Sequence, residues 1–194
     1  MKRRAVFFDR DGTLNEEVGY PSGPSQVSIF PKSYEAVKKI NRAGLLAIVL
    51  TNQSGVGRGL LTEEGLSAIH ASMKASFALH DARLDAFYYC PHYSPAENSR
   101  YAGECDCRKP NPGLALRAAD EWGIDLAGSY LVGDKVEDIL LGFRIRALPV
   151  LVLTGYGRES LAQLRKQGLE PAAVMEDILG AVDWILEQEN RKPA

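Results

Sequence analysis

Four apolar residues, Ala5-Val6-Phe7-Phe8, run directly into Asp9-Arg10-Asp11-Gly12-Thr13. A short run without polar alternation reads as a strand buried on both faces, as in parallel sheets covered by helices. Open α/β sheets bind their ligands outside the carboxyl ends of their strands, so this strand would deliver two carboxylates to that edge. An acidic turn would also draw on Asp and Gly, and the segment alone does not separate the two readings.

Later segments do. Residues 45–50 form a second apolar run that ends in Thr51-Asn52-Gln53-Ser54, and 129–132 form another that ends in Gly133-Asp134-Lys135-Val136-Glu137-Asp138. Further strands are expected at 86–89 and 149–153. Helical patterns fall between the runs, at 33–43, from Thr62 as N-cap to about Leu79, and at 112–122, 136–144, 158–167 and 176–189. Alternation of this kind predicts a doubly wound α/β fold, a mostly parallel sheet with helices on both faces, as one domain over residues 1–194.

Length and charge narrow the class. A 194-residue chain that is 45% hydrophobic can bury roughly 70% of its unfolded surface without staples. No stretch approaches the ~20 apolar residues of a membrane span, and Met1-Lys2-Arg3-Arg4 leads into a strand, not a secretory signal. The expectation is a cytoplasmic, monomeric protein without a membrane partner. A net charge of −2 lacks the basic footprint of a nucleic-acid binder but leaves small anionic substrates open.

All three cysteines lie in the long stretch after the third strand: Cys90-Pro91-His92, then Cys105-Asp106-Cys107. Three sulfurs and one imidazole form a closed Cys₃His set suited to a structural, tetrahedral Zn²⁺. The odd count and the cytoplasmic reading disfavour disulfides, so residues 90–107 are expected to be an embedded zinc loop. His70 and His80, alone in the helix after Thr62, read as ordinary helix histidines.

The ordered set of an Asp-x-Asp-x-Thr strand end, the strand-end Thr51, Lys109 before Pro110, and the Gly133-Asp134 strand end resembles the haloacid dehalogenase superfamily of phosphohydrolases, over about residues 5–154. The resemblance implies strand order 3-2-1-4-5, which would bring Asp9, Asp11 and Asp134 into one crevice. Three carboxylates there repel one another unless a cation sits among them, and oxygen ligands favour Mg²⁺. It further implies Asp9 as nucleophile, Asp11 as general acid and base, and Thr51 and Lys109 as the phosphate cradle. Asp9, the Asp11 carbonyl and Asp134 would hold Mg²⁺, Lys135 would support the carboxylates, and Asp138 would stand in the metal's second shell or serve only as a helix-start charge.

The metal loop just ahead of Arg108-Lys109-Pro110 is similar to the zinc-loop branch that holds the heptose bisphosphate and histidinol-phosphate phosphatases. The stretch 15–20, and Thr51-Asn52-Gln53-Ser54-Gly55 followed by Arg58-Gly59, match the heptose enzymes more closely. That resemblance implies a small phosphorylated sugar as substrate, the 7-phosphate of heptose 1,7-bisphosphate, in synthesis of nucleotide-activated heptose for lipopolysaccharide or a related glycan. Glu17, Gly19, Tyr20, Asn52, Gln53, Ser54, Arg108 and Lys135 would contact it. Histidinol phosphate is the alternative substrate, a nucleic-acid 3′-phosphatase a more distant one, and a non-catalytic zinc-loop interaction module the alternative of another class. The spacing leaves little room for the cap domain of many superfamily members, so a capless enzyme is expected. In one departure from the family pattern, 141–149 is bulky where small residues usually lead to an Ala-Gly turn.

Overall fold

The computed structural model describes residues 2–94 and 100–191. Six parallel strands form one sheet: β1 (Ala5–Phe8), β2 (Leu46–Asn52), β3 (Ala86–Cys90), β4 (Tyr130–Gly133), β5 (Leu148–Val152) and β6 (Ala173–Met175), in the order β3-β2-β1-β4-β5-β6. The expected order 3-2-1-4-5 is present, and β6 extends it at one edge. Seven helices are described: α1 (Pro31–Arg42), α2 (Ser54–Gly57), α3 (Glu63–Ala78), α4 (Gly113–Trp122), α5 (Val136–Ile145), α6 (Gly157–Lys166) and α7 (Ile178–Arg191). A 3₁₀ turn at Pro24–Gln26 is the only element between β1 and α1 among the described residues, so no cap interrupts the chain there.

Strand parity explains the two layers. Val6 and Phe8 face a core with Ala36, Val37 and Ile40 of α1, Ile69, Met73 and Phe77 of α3, and Ile178, Val182 and Ile185 of α7. Ala5 and Phe7 face the other side, against Leu114, Ala115 and Ala118 of α4 and Leu141 and Ile145 of α5. With both faces covered, a strand has no solvent side, which is why β1 is apolar at every position.

Local signals set most helix ends. Thr62 caps α3 by accepting from the Gly65 N–H at 3.0 Å, and Gly123 closes α4 in the left-handed conformation. The first helix starts at Pro31, two residues before the expected Ser33, because proline at N1 lacks the N–H that a first turn leaves unbonded. The last starts at Ile178, where Asp177 accepts from the N–H groups of Leu179 and Gly180, each at 3.0 Å.

The register puts the functional strand ends side by side. Phe8 lies opposite Val49 of β2 and Val132 of β4, and the Asp9 N–H donates to the Val132 carbonyl at 2.9 Å. Thr51 and Asn52 lie opposite Tyr89 and Cys90, so the loop that carries the cysteines leaves from the same edge. Residues 95–99 of the expected zinc loop lie outside the described residues.

Candidate active site

Asp9, Asp11, Thr51, Lys109, Asp134 and Asp138 meet at the carboxyl edge, between β1 and its neighbours, and all are buried. Lys109 Nζ donates to Asp9 Oδ1 at 2.6 Å and to the Leu50 carbonyl at 2.8 Å. It also lies 2.6 Å from Asp138 Oδ1, in ion-pair contact but off hydrogen-bond geometry. Burial works against the Lys109 charge, yet Asp138 and Asp9 outweigh it and hold the ammonium above its ordinary range.

One lysine does not neutralise this cluster. Asp9, Asp134 and Asp138 bring carboxylate oxygens within 4.8 Å of one another. Burial, then the charges of Asp9 and Asp138, push Asp134 up to about 8, and burial pushes Asp138 up to about 6 despite Lys109. The donor set is all oxygen and calls for a further cation, which fits Mg²⁺. Asp138, expected at most behind the metal, stands in the cluster itself. The Asp11 side chain is turned away from it.

Glycines make this closeness possible. Gly12 has φ +84°, and a Cβ there would overlap the Asp134 carboxylate; a Cβ at Gly133 would overlap Asp138. Asp134 is fixed by the Tyr156 N–H at 2.8 Å, and Asp138 accepts from the Lys135 N–H at 3.1 Å, closing the first turn of α5.

Asp11 is held by its neighbour in sequence. Arg10, fully buried, donates from Nε to both Asp11 oxygens at 3.0 and 3.1 Å, while Asn15 and Gln53 donate to them at 3.0 and 2.9 Å. Burial alone would raise Asp11, but Arg10 and these hydrogen bonds hold it below the usual carboxylate range. Gln53 Nε2 also donates to Thr51 Oγ1 at 2.8 Å, which leaves the Thr51 proton for an oxygen in the crevice. The burial of Arg10 had no sequence signal, since its partners beyond Asp11 come from the turn after β2 and from α3.

His70 completes that network as a core histidine. Its ring stacks on Phe87 with centroids 4.4 Å apart, and Nε2 lies 3.3 Å from Arg10 Nη1. Arginine only donates, so Nε2 accepts and the proton resides on Nδ1. Burial first, then Arg10, lower His70 to about 3 against the opposing charge of Asp11, with Lys74 a lesser contributor. The unfolded chain therefore binds a proton below pH 6.5 that the native chain refuses, and stability falls as pH drops from 6.5 toward 3. At pH 5 this costs about 2 kcal/mol as an upper estimate. His70→Gln should lose less stability between pH 7 and 5 than the wild type in denaturant titrations; an identical pH dependence would contradict the buried neutral imidazole.

The crevice beside the carboxylates encloses about 330 Å³ and is lined by all eight residues expected to contact substrate. Glu17 binds Lys135 Nζ at 2.8 Å and the Gly19 N–H at 2.9 Å, fixing the loop at 17–20 to the start of α5. Tyr20, about half exposed, packs against Gly55 beneath the Arg58 guanidinium, and Ser54 opens α2. Both amide groups of Asn52 are engaged by the Lys109 backbone, at 2.9 and 3.2 Å, so this side chain holds the lysine in place as well as forming the wall. Arg108 reaches the His92 carbonyl at 3.4 Å and forms no ion pair with Asp106.

Cys90, His92, Cys105 and Cys107 converge beside this crevice, with ligand atoms within 4.8 Å of one another. Cys90 Sγ lies 3.6 Å from Cys105 Sγ and from His92 Nδ1, and Cys107 Sγ lies 3.3 Å from His92 Nδ1. A disulfide needs sulfurs about 2.05 Å apart, whereas a tetrahedron built from ordinary Zn–S and Zn–N lengths has edges of roughly 3.5–3.8 Å. Burial pushes the Cys90 and Cys107 thiols up, Cys107 to about 11, so metal binding would displace their protons.

The bulky segment 141–149 leaves α5 unbroken but reaches the rim of the site. Arg144 Nη1 donates to the Pro110 carbonyl at 3.0 Å and to Asn111 Oδ1 at 2.9 Å, and Asn111 in turn binds the Cys105 carbonyl at 2.8 Å. The loop bearing Lys109 is thus held from the sheet, from α5 and from the cysteine cluster.

A doubly wound parallel sheet with Asp-x-Asp, Thr, Lys and Gly-Asp gathered at its switch point defines a hydrolase of the haloacid dehalogenase type. The HAD-hydrolase-like family model matches residues 106–181. The D-glycero-beta-D-manno-heptose-1,7-bisphosphate 7-phosphatase of Pasteurella multocida is 40% identical over 177 residues, covering 84% of this chain and 96% of that protein. The D-glycero-D-manno-heptose-1,7-bisphosphate 7-phosphatase of Thermosynechococcus vestitus is 38% identical over 95% of this chain and 96% of its own length. The crystal structure of the D,D-heptose 1,7-bisphosphate phosphatase from B. bronchiseptica, complexed with magnesium and phosphate, superposes with TM-score 0.83 at 34% identity, covering 95% of this chain and 99% of that one. The chain belongs to this heptose-bisphosphate phosphatase family of the haloacid dehalogenase superfamily and is a phosphoric monoester hydrolase. No described helix is long and apolar enough to cross a membrane.

Proposed function

We propose that this enzyme removes the 7-phosphate of D-glycero-D-manno-heptose 1,7-bisphosphate through a phosphoryl group carried on Asp9, with Mg²⁺ at Asp9, Asp11 and Asp134 and Zn²⁺ at Cys90, His92, Cys105 and Cys107. The observation that carries the reading is Lys109 Nζ at 2.6 Å from Asp9, set among carboxylates in a crevice shared with Thr51. A relative of 34% identity is complexed with magnesium and phosphate.

The chain's own residues divide the work. Asp9 attacks phosphorus in line and the P–O bond to the sugar breaks, giving an acyl phosphate on Asp9. Asp11, a carboxylate at rest under the hold of Arg10, takes up a proton from solvent to pass to the departing sugar oxygen, then takes one from the water that cleaves the acyl phosphate. Lys109 and the Thr51 hydroxyl bind phosphoryl oxygens and orient the group, positioning that supplies most of the acceleration in phosphoryl transfer. Mg²⁺, when bound, supplies charge neutralisation at the same oxygens. Asp138 joins the carboxylate cluster around it and holds Lys109.

Specificity would come from the rim, since no cap is present among the described residues. Arg108 offers a planar fork beside Lys109, suited to a second phosphate or to sugar hydroxyls. Arg108→Ala should lower kcat/KM for the heptose bisphosphate about tenfold or more, roughly 1.4 kcal/mol, and change a small generic ester far less. The test is a phosphate-release panel with both heptose 1,7-bisphosphate anomers, histidinol phosphate, common sugar phosphates and a 3′-phosphorylated oligonucleotide. Higher kcat/KM for histidinol phosphate than for either anomer would overturn the substrate while leaving the chemistry in place.

A further inference from the structure

Among the described residues, Arg10 heads the fully buried side chains by size, and it stands between the two aspartates of the proposed chemistry. Strand parity sends it the way of Val6 and Phe8, toward α3, where a lone charge would be prohibitively costly. Its partners are specific. Nε reaches both Asp11 oxygens, Nη2 reaches Asp11 Oδ2 at 2.9 Å and Gln53 Oε1 at 3.0 Å, and Nη1 meets His70 Nε2 at 3.3 Å.

The fork and its neighbours leave Asp11 little freedom. Arg10 engages both carboxylate oxygens, Asn15 adds a donor to Oδ1 and Gln53 adds one to Oδ2. Rotation about the Cβ–Cγ bond would break several of these at once. Gln53 is itself fixed end for end, its oxygen on Arg10 and its nitrogen on Asp11 and Thr51. His70, packed on Phe87, closes the far side of the guanidinium.

We propose that Arg10 is a positioning residue that sets the orientation of the Asp11 carboxylate and through it governs both proton transfers of the reaction. The inference rests on the acid–base reading of Asp11 given above. Charge alone does not suffice for the role: a lysine at this position keeps the charge but is a point donor that cannot span both oxygens and Gln53.

The test uses Arg10→Lys, chosen to keep the buried positive charge, and Arg10→Gln where it folds, with Asp11→Asn in parallel. Native-like circular dichroism and a cooperative melt qualify each variant. On a sugar phosphate, Arg10→Lys should lower kcat about tenfold or more, within the range that general acid–base catalysis spans, with KM within about twofold. On p-nitrophenyl phosphate, whose leaving group needs no proton, phosphorylation of Asp9 should persist while hydrolysis slows, giving a burst of about one p-nitrophenolate per site. A merely structural defect would slow both steps together and give no burst. Folded Arg10→Lys with wild-type kcat on both substrates, or without a burst, overturns the proposal while an impaired Asp11→Asn leaves the acid–base reading intact. Wild-type turnover in Asp11→Asn removes that reading and the proposal with it.

Discussion

Asp9→Asn should fold normally and turn over no phosphate ester. The change is nearly isosteric, so packing around this buried residue is kept. It removes one of the charges that, after burial itself, push Asp134 up to about 8, which relieves repulsion within the cluster. Lys109 keeps Asp138 and the Leu50 carbonyl as partners. What is lost is the carboxylate oxygen that attacks phosphorus. Loss of a nucleophile from an integrated site costs about 10⁴-fold or more in kcat. Steady-state phosphate release together with a thermal melt checks both halves, and wild-type-like turnover in folded Asp9→Asn would falsify the assignment.

Cys107→Ser should lose zinc, stability and activity together. Cys107 is two residues from Lys109, and its sulfur lies 3.3 Å from His92 Nδ1. Serine is a poor ligand for a metal that prefers thiolate and imidazole. A hundredfold loss of metal affinity removes up to about 2.7 kcal/mol of linked stability. Catalysis should fall less than in Asp9→Asn, because Asn52 and Arg144 still hold the loop around Lys109. Metal analysis of the wild type should find one zinc per chain that survives mild chelation, while magnesium is removed and restored at will. Zinc-free wild-type protein, purified without chelator or oxidant and fully active, would contradict the structural role.

The strands that carry the site were legible because burial on both faces leaves an unmistakable apolar run, and because the polar residues at their ends are what a ligand edge needs. β6 was not. Its three residues, Ala173–Met175, are partly exposed at the sheet edge and too short to show a pattern. α2 was not among the expected helices either, since Ser54–Gly57 has the composition of a turn. In the site, the strand ends brought out Asp9, Thr51 and Asp134 and the family resemblance added Lys109, but neither gave the placement of Asp138 within the carboxylate cluster, which follows from the first turn of α5 folding back over Gly133. Arg10 was the least legible. An arginine flanked by aspartates looks like a solvated charge until His70 and Gln53 arrive from 60 and 43 residues away. Partners that distant leave no local mark.

The proposed reaction cleaves one particular ester bond, and ³¹P NMR of the reaction on D-glycero-D-manno-heptose 1,7-bisphosphate with Mg²⁺ reads that bond directly. The 7-phosphate resonance should disappear as inorganic phosphate grows in, while the anomeric 1-phosphate persists as heptose 1-phosphate. Loss of the 1-phosphate first, or an unchanged spectrum from enzyme that hydrolyses histidinol phosphate in the same buffer, would contradict the proposed reaction.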